Sequence, residues 1–128
     1  MPDEAKPRLG PLQLAIMKVL WEHGPASVTE VHKTLPGGSE FAYTTIATML
    51  RKMEARGLVR HREEGRRFVY EPAVSELGVI TSMADDLLDR LFDGRLADMV
   101  SHLLKTRDVS RDELDTIDRL IAARKRKR

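Results

Sequence analysis

Between residues 10 and 72 the chain is broken at short intervals by Gly10-Pro11, Gly24-Pro25, Pro36-Gly37-Gly38, Gly57, Gly65 and Pro72. Proline inside a helix removes a hydrogen bond and clashes with the preceding turn, while glycine readily takes the left-handed conformation that ends one. The pieces between these breaks are therefore short. None is large enough to bury an apolar face alone, so they must pack on one another.

Each piece carries its own local signals. Gly10 serves as N-cap with Pro11 at the first helical position and Gln13 at N3, and Leu9 and Leu14 stand at the staple positions. Leu12, Ile16, Val19 and Leu20 then form an apolar stripe at helical spacing, and Trp21 at its end belongs to the same small core. "SVTE" at 27–30 is a capping box, in which Ser27 and Glu30 satisfy each other's amides. It opens a short helix that turns Val28, Val31 and Leu35 inward. A third helix spans about 43–56, with Gly57 at C′. "LVRHREEGRRFVYEP" then reads as a β-hairpin with Glu64-Gly65 at its tip and Pro72 at its end. Two helices, a third helix and a hairpin is the order of a winged helix-turn-helix.

On the third helix, a turn of 100° per residue gathers Ala42, Ile46, Met49, Leu50 and Met53 on one side. Thr44, Thr48, Arg51 and Ala55 lie opposite, with Thr45, Ala47 and Lys52 on the flanks, and no acid precedes Glu54. Threonine is a mediocre helix former, so its concentration here needs another reason. A solvated face would show a mixture of Glu, Lys and Gln. Duplex DNA supplies a reason: small side chains let a helix sink into the major groove, Thr and Ala meet thymine methyls, and Arg forks onto guanine. Tyr43, at the helix start, either packs its ring or offers its hydroxyl to a phosphate. Arg60 and Arg62 on one hairpin strand, with Arg66 and Arg67 past the tip, suit phosphate contact, which fixes register without reading sequence. Residues 51–67 hold seven basic side chains against three acids, although the whole chain carries only +2. The terminal "RKRKR" is either a nonspecific backbone contact or a solvated tail.

From residue 74 the pattern becomes helical only. Leu77, Ile80, Ala84, Leu87, Leu88 and Leu91 recur at three- and four-residue steps, Asp93-Gly94 interrupts them, and Leu96, Met99, Val100, Leu103 and Leu104 continue the stripe. "SRDE" at 110–113 is a second capping box, flanked by Val109 and Leu114, and Ile117, Leu120 and Ile121 complete the last helix. Three such helices make a poor independent core, and a two-fold partner would bury their leucines. The expected division is residues 1–73 for DNA binding and 74–128 for homodimerisation. Folding of the arm back onto its own chain stays open as an alternative.

The remaining composition narrows the function. No cysteine means no disulfide, thiolate zinc site or cysteine nucleophile. His23, His32, His61 and His102 match no metal-ligand spacing, and no catalytic triad or phosphate-cradling glycine loop stands out, so neither an enzyme nor a cofactor or metal is expected. No run of apolar residues is long enough for a membrane span, and the charged "MPDEAKPRLG" lacks a leader, so a cytoplasmic protein is expected. Two rival functions remain: a winged-helix protein-interaction module facing an acidic partner, and a ligand-gated DNA regulator with a pocket between dimer arms.

The blocks "IMKVLWEHGPASVTEV", "YTTIATMLRKMEARGLV", "GRRFVYEP" and "DGRLADMVSHLL" resemble the penicillinase repressor family, which includes the methicillin-resistance repressors, over nearly the full length. The resemblance implies an N-terminal winged helix, a three-helix dimerisation domain, and repression through a palindromic double-stranded operator with TACA/TGTA half-sites. It carries recognition onto Tyr43, Thr44, Thr45, Thr48 and Arg51, with the wing helping at Gly65-Arg66-Arg67. Members controlled by a membrane sensor-protease are cut at an Asn-Phe bond, and the equivalent here is His102-Leu103, a departure. Copper-responsive relatives carry paired Cys-x-Cys motifs, which this chain lacks.

Overall fold

The computed structural model describes residues 8–127. Residues 1–7 of the charged start and Arg128 of the basic tail lie outside them. In chain order the elements are α1 (Pro11–His23), β1 (Ala26–Ser27), α2 (Val28–Thr34), a 3-10 turn (Gly38–Glu40), α3 (Tyr43–Ala55), β2 (Val59–Glu64), β3 (Arg67–Pro72), α4 (Glu76–Phe92), α5 (Leu96–Thr106) and α6 (Arg111–Arg126). The fold is thus mainly helical with a small sheet. The chain divides into two compact units, one ending at Asp85 and the other beginning at Asp86. That division falls inside helix α4, whose start contributes buried Val79 to the first unit. Among the described residues no helix is long and apolar enough to cross a membrane.

Local chemistry explains the first unit's boundaries. The Gly10 amide donates to the Gln13 side chain at 3.1 Å. At α2 the Ser27 amide donates to Glu30 Oε1 at 2.8 Å and the Glu30 amide to Ser27 Oγ at 3.2 Å, the reciprocal box. α3 ends in a Schellman motif. Gly57 takes φ 81, its amide donates to the Glu54 carbonyl at 3.0 Å, and the Leu58 amide reaches the Met53 carbonyl at 2.9 Å. Met53 and Leu58 are both buried there. Gly38 is required for a different reason: a Cβ at this position would lie 2.2 Å from the His32 carbonyl oxygen.

The antiparallel sheet has the order β1-β3-β2. The hairpin pairs Val59 with Pro72 through to Glu64 with Arg67, around a Gly65-Arg66 loop. β1 was not expected from the sequence. It pairs Ala26 with Tyr70 and Ser27 with Val69, and its extended conformation comes from that pairing. Ile16, Met17, Leu20, Val31, Ile46, Leu50, Met53, Val59 and Tyr70 form the centre of the core. Trp21 packs against it and donates Nε1–H to the Val74 carbonyl at 3.0 Å. Ala42, placed with the buried residues by helical spacing, is instead the exposed N-cap of α3 with extended backbone, because the helix begins after it. Met49 is only half-buried.

In the second unit, Asp93 (φ 51) and Gly94 (φ 77) end α4. Ser110 caps α6 by accepting from the Glu113 amide at 3.1 Å. Neither α5 nor α6 contains a buried residue.

Candidate nucleic-acid interface

Helix α3 separates its two faces as its spacing predicts. Ile46, Leu50 and Met53 are fully buried, while Thr44, Thr45, Arg51 and Lys52 are exposed and Thr48 is half-buried. One turn along, Arg51 Nη2 donates to Thr48 Oγ1 at 3.2 Å, which lays the guanidinium along the helix surface. Among the described residues neither Arg51 nor Lys52 forms an ion pair. Their charge is therefore available to a ligand. Tyr43 is half exposed, with its ring edge-on to His32 at 6.4 Å. His32 itself has a structural task, its Nε2 lying 2.7 Å from the Phe41 carbonyl and donating to it.

The four wing arginines do not behave alike. Arg60 donates to Glu71 at 2.7 Å, and Arg62 donates both to Glu64 at 2.9 Å and to Glu71. Cross-strand partners share a face of a sheet and successive residues alternate. Arg60, opposite Glu71, and Arg62, opposite Val69, thus share one face, while His61, opposite Tyr70, is on the other. The His61 face is the one turned to α3, because His61 Nδ1 lies 2.7 Å from Glu54 Oε1 and 2.8 Å from Oε2. Arg60 and Arg62 lie on the face opposite His61 and already hold carboxylate partners. Arg66, in the loop, forms no ion pair among the described residues, and Arg67 has only a 3.6 Å pair with Glu30.

Tyr43, Arg66 and Arg67 meet at a cleft of about 460 Å³, with Ser27, Thr29, Glu30 and Phe68 also on its walls. Three sequence-predicted residues from two separate elements are thereby brought to one concave surface. Inside it, the Ser27 amide and then the Ser27 hydroxyl hold the Glu30 carboxyl below its ordinary value, and the Arg67 charge acts the same way. Burial, followed by the Glu54 charge, pushes the Tyr70 phenol above its ordinary value, and Arg51 opposes them.

The pairing of His61 with Glu54 and the neutralising role of Glu71 were missed by sequence reasoning. One signal was present. Glu54 sits in the last turn of α3, where the helix dipole disfavours a carboxylate, so it needed a partner.

The helices after residue 75 supply a different kind of surface. Leu77 and Ile80 on the first part of α4 are exposed, as are Leu87, Leu91, Leu103, Leu114 and Ile121, whereas Leu88, Met99, Val100 and Ile117 are half-buried. Leu96, Ala97, Val100, Leu104 and Ile121 line an open apolar groove of about 600 Å³ between α5 and α6. The His102-Leu103 bond lies within the regular helix α5, and the His102 ring is 5.9 Å from that of Phe92.

Comparison with known proteins agrees with this architecture. The model of the penicillinase repressor family matches residues 9–123. The chain belongs to the penicillinase repressor family. It is 31% identical over 122 residues to the penicillinase repressor of Bacillus licheniformis, covering 95% of each chain. It is also 31% identical over 118 residues to the transcriptional regulator BlaI of Mycobacterium tuberculosis, covering 90% of this chain and 83% of that one. Among solved structures, the DNA binding domain of the repressor BlaI matches at 38% identity and TM-score 0.50, over 56% of this chain and 88% of that domain. The family and these relatives are regulators of transcription rather than enzymes, in keeping with the sequence reading.

Proposed function

We propose that this penicillinase repressor family member is a DNA-binding transcriptional repressor that acts as a homodimer on a palindromic operator. Residues 1–73 form the DNA-binding part and residues 74–128 the dimerisation part. Tyr43, Thr44, Thr45, Thr48 and Arg51 enter the major groove from α3. On the wing, backbone contact narrows to Arg66 and Arg67, since Arg60 and Arg62 are already engaged by Glu71 and Glu64. The observation that carries the reading is the exposed, acid-free Thr/Arg face of α3 beside a cleft that also holds the wing-tip cations.

The uncovered apolar surface of the arm supports a second copy. Two heads on half-sites about one helical turn of DNA apart, or a multiple of it, bind with the gain of effective concentration, so weakening the arm lowers operator affinity without touching a base contact. The test is fluorescence anisotropy on a TACA/TGTA palindrome and a scrambled duplex across a salt series. Arg51→Ala is expected to cost ~1–3 kcal/mol on the palindrome only, and Arg66→Ala to weaken both duplexes alike and flatten the salt dependence. Equal loss on both duplexes for Arg51→Ala would refute base reading. Wild-type protein that ignores DNA even in dilute buffer would refute the function.

A further inference from the structure

From His61 to Phe68, every residue of the hairpin is exposed, and burial resumes only at Val69. Core packing therefore does not set the angle at which the tip leaves the body. Outside the hairpin itself, the described side chains from Arg60 to Phe68 make two polar ties to the rest of the unit. One is the Arg67–Glu30 pair at 3.6 Å, which a bound phosphate would compete for. The other is His61 to Glu54, with both carboxylate oxygens at 2.7 and 2.8 Å from Nδ1. A carboxylate only accepts, so Nδ1 carries the proton and donates. The imidazole also packs on β3, 4.7 Å from the Phe68 ring and 5.6 Å from that of Tyr70, whose own burial fixes it to the core. It is thus clasped between the last turn of α3 and the aromatic face of the wing. Glu54 is the sole acid of α3, and a carboxylate there opposes both the helix dipole and an approaching polyanion. Its position is accounted for by the partner it holds.

We propose that His61 is a positioning residue that fixes the angle between wing and recognition helix, so that Arg66 and Arg67 meet the same duplex that α3 enters. The proposal rests on the DNA-binding reading above, and its test separates the two. In the full chain, His61→Ala is expected to lower affinity for the palindrome about tenfold, the cost of ordering a loosened wing on binding. The scrambled duplex should weaken alongside it, because the cations that His61 positions contact the phosphates of any sequence. His61→Gln, which keeps an N–H donor for Glu54, should restore most of the loss. Unchanged affinity in His61→Ala would overturn the proposal, as would equal loss in both variants. Without DNA, ¹⁵N order parameters at residues 64–67 should fall in His61→Ala and recover in His61→Gln, and unchanged values would overturn the proposal whatever the duplexes do. Falling order parameters in a protein that binds no duplex would sink the DNA-binding reading while leaving His61 as the wing's anchor.

Discussion

The first and second units are both made from short amphipathic helices, yet only the first buries its stripes. Its fully covered side chains run from Ile16 to Val79, whereas α5 and α6 have no buried residue and Leu96 and Leu120 stand 63% and 65% exposed. The difference is one of layers. In the first unit three helices and a three-stranded sheet enclose Ile46 and Leu50 from several directions. In the second, helices alone leave an open groove along α5 and α6. An apolar stripe thus marks where a helix wants cover, but says nothing of whether its own chain provides it.

The contrast can be broken at its strongest point by Leu50→Ala. A fully buried leucine should cost about 2–5 kcal/mol in urea denaturation, with a midpoint independent of protein concentration. A concentration-dependent loss would mean that the first unit is not self-sufficient. Leu91→Ala probes the other side. Leu91 is 66% exposed in the single chain, so the monomer should hardly notice, while self-association measured by sedimentation weakens by about 1.5–3 kcal/mol per leucine buried in the dimer. Unaltered self-association would remove Leu91 from the interface.

Smaller substitutions sharpen the same comparison. Ser27→Ala removes the reciprocal cap of α2 and should cost ~1 kcal/mol. Ser110→Ala removes only the one-way cap of α6 and should cost less. Circular dichroism melts of the two variants would rank them, and a larger effect at Ser110 would invert the picture. Smallest is the acid dependence of Glu30. Its folded carboxyl lies below the ordinary value, so its contribution is fully present above the ordinary carboxylate range and is lost as pH falls through the lowered value. Glu30→Gln should flatten that acid limb of the first unit's stability curve, and an unchanged slope would show that the Ser27 contacts persist without the charge.

Much of this was legible before any coordinates. Gly10 with Gln13, Ser27 with Glu30, Gly57 and Gly65 are local devices, each acting through neighbours a few residues away, so the elements they delimit were readable. The inward residues of α2 and the two faces of α3 followed from periodicity alone. β1 was hidden because two residues carry no pattern, and only β3 alongside makes them a strand. Ala42 was misplaced because a wheel extends through a cap as if the helix continued. Arg60, Arg62, Arg66 and Arg67 looked like one basic group because composition cannot see that Glu71 lies across from the first two.

The sequence by itself determined which segments become helices, where they stop, and which face of α3 is free of acid, because these depend on contacts within a turn or two. The tertiary structure decided which charges remain available: it bound Arg60 and Arg62 to acids on the far face of the wing, set His61 against Glu54, and left Arg51 and Arg66 without ion pairs among the described residues. The reason is that an electrostatic or hydrogen-bonding partner is chosen by distance in space, and residues far apart along the chain acquire that distance only when the sheet and helices pack.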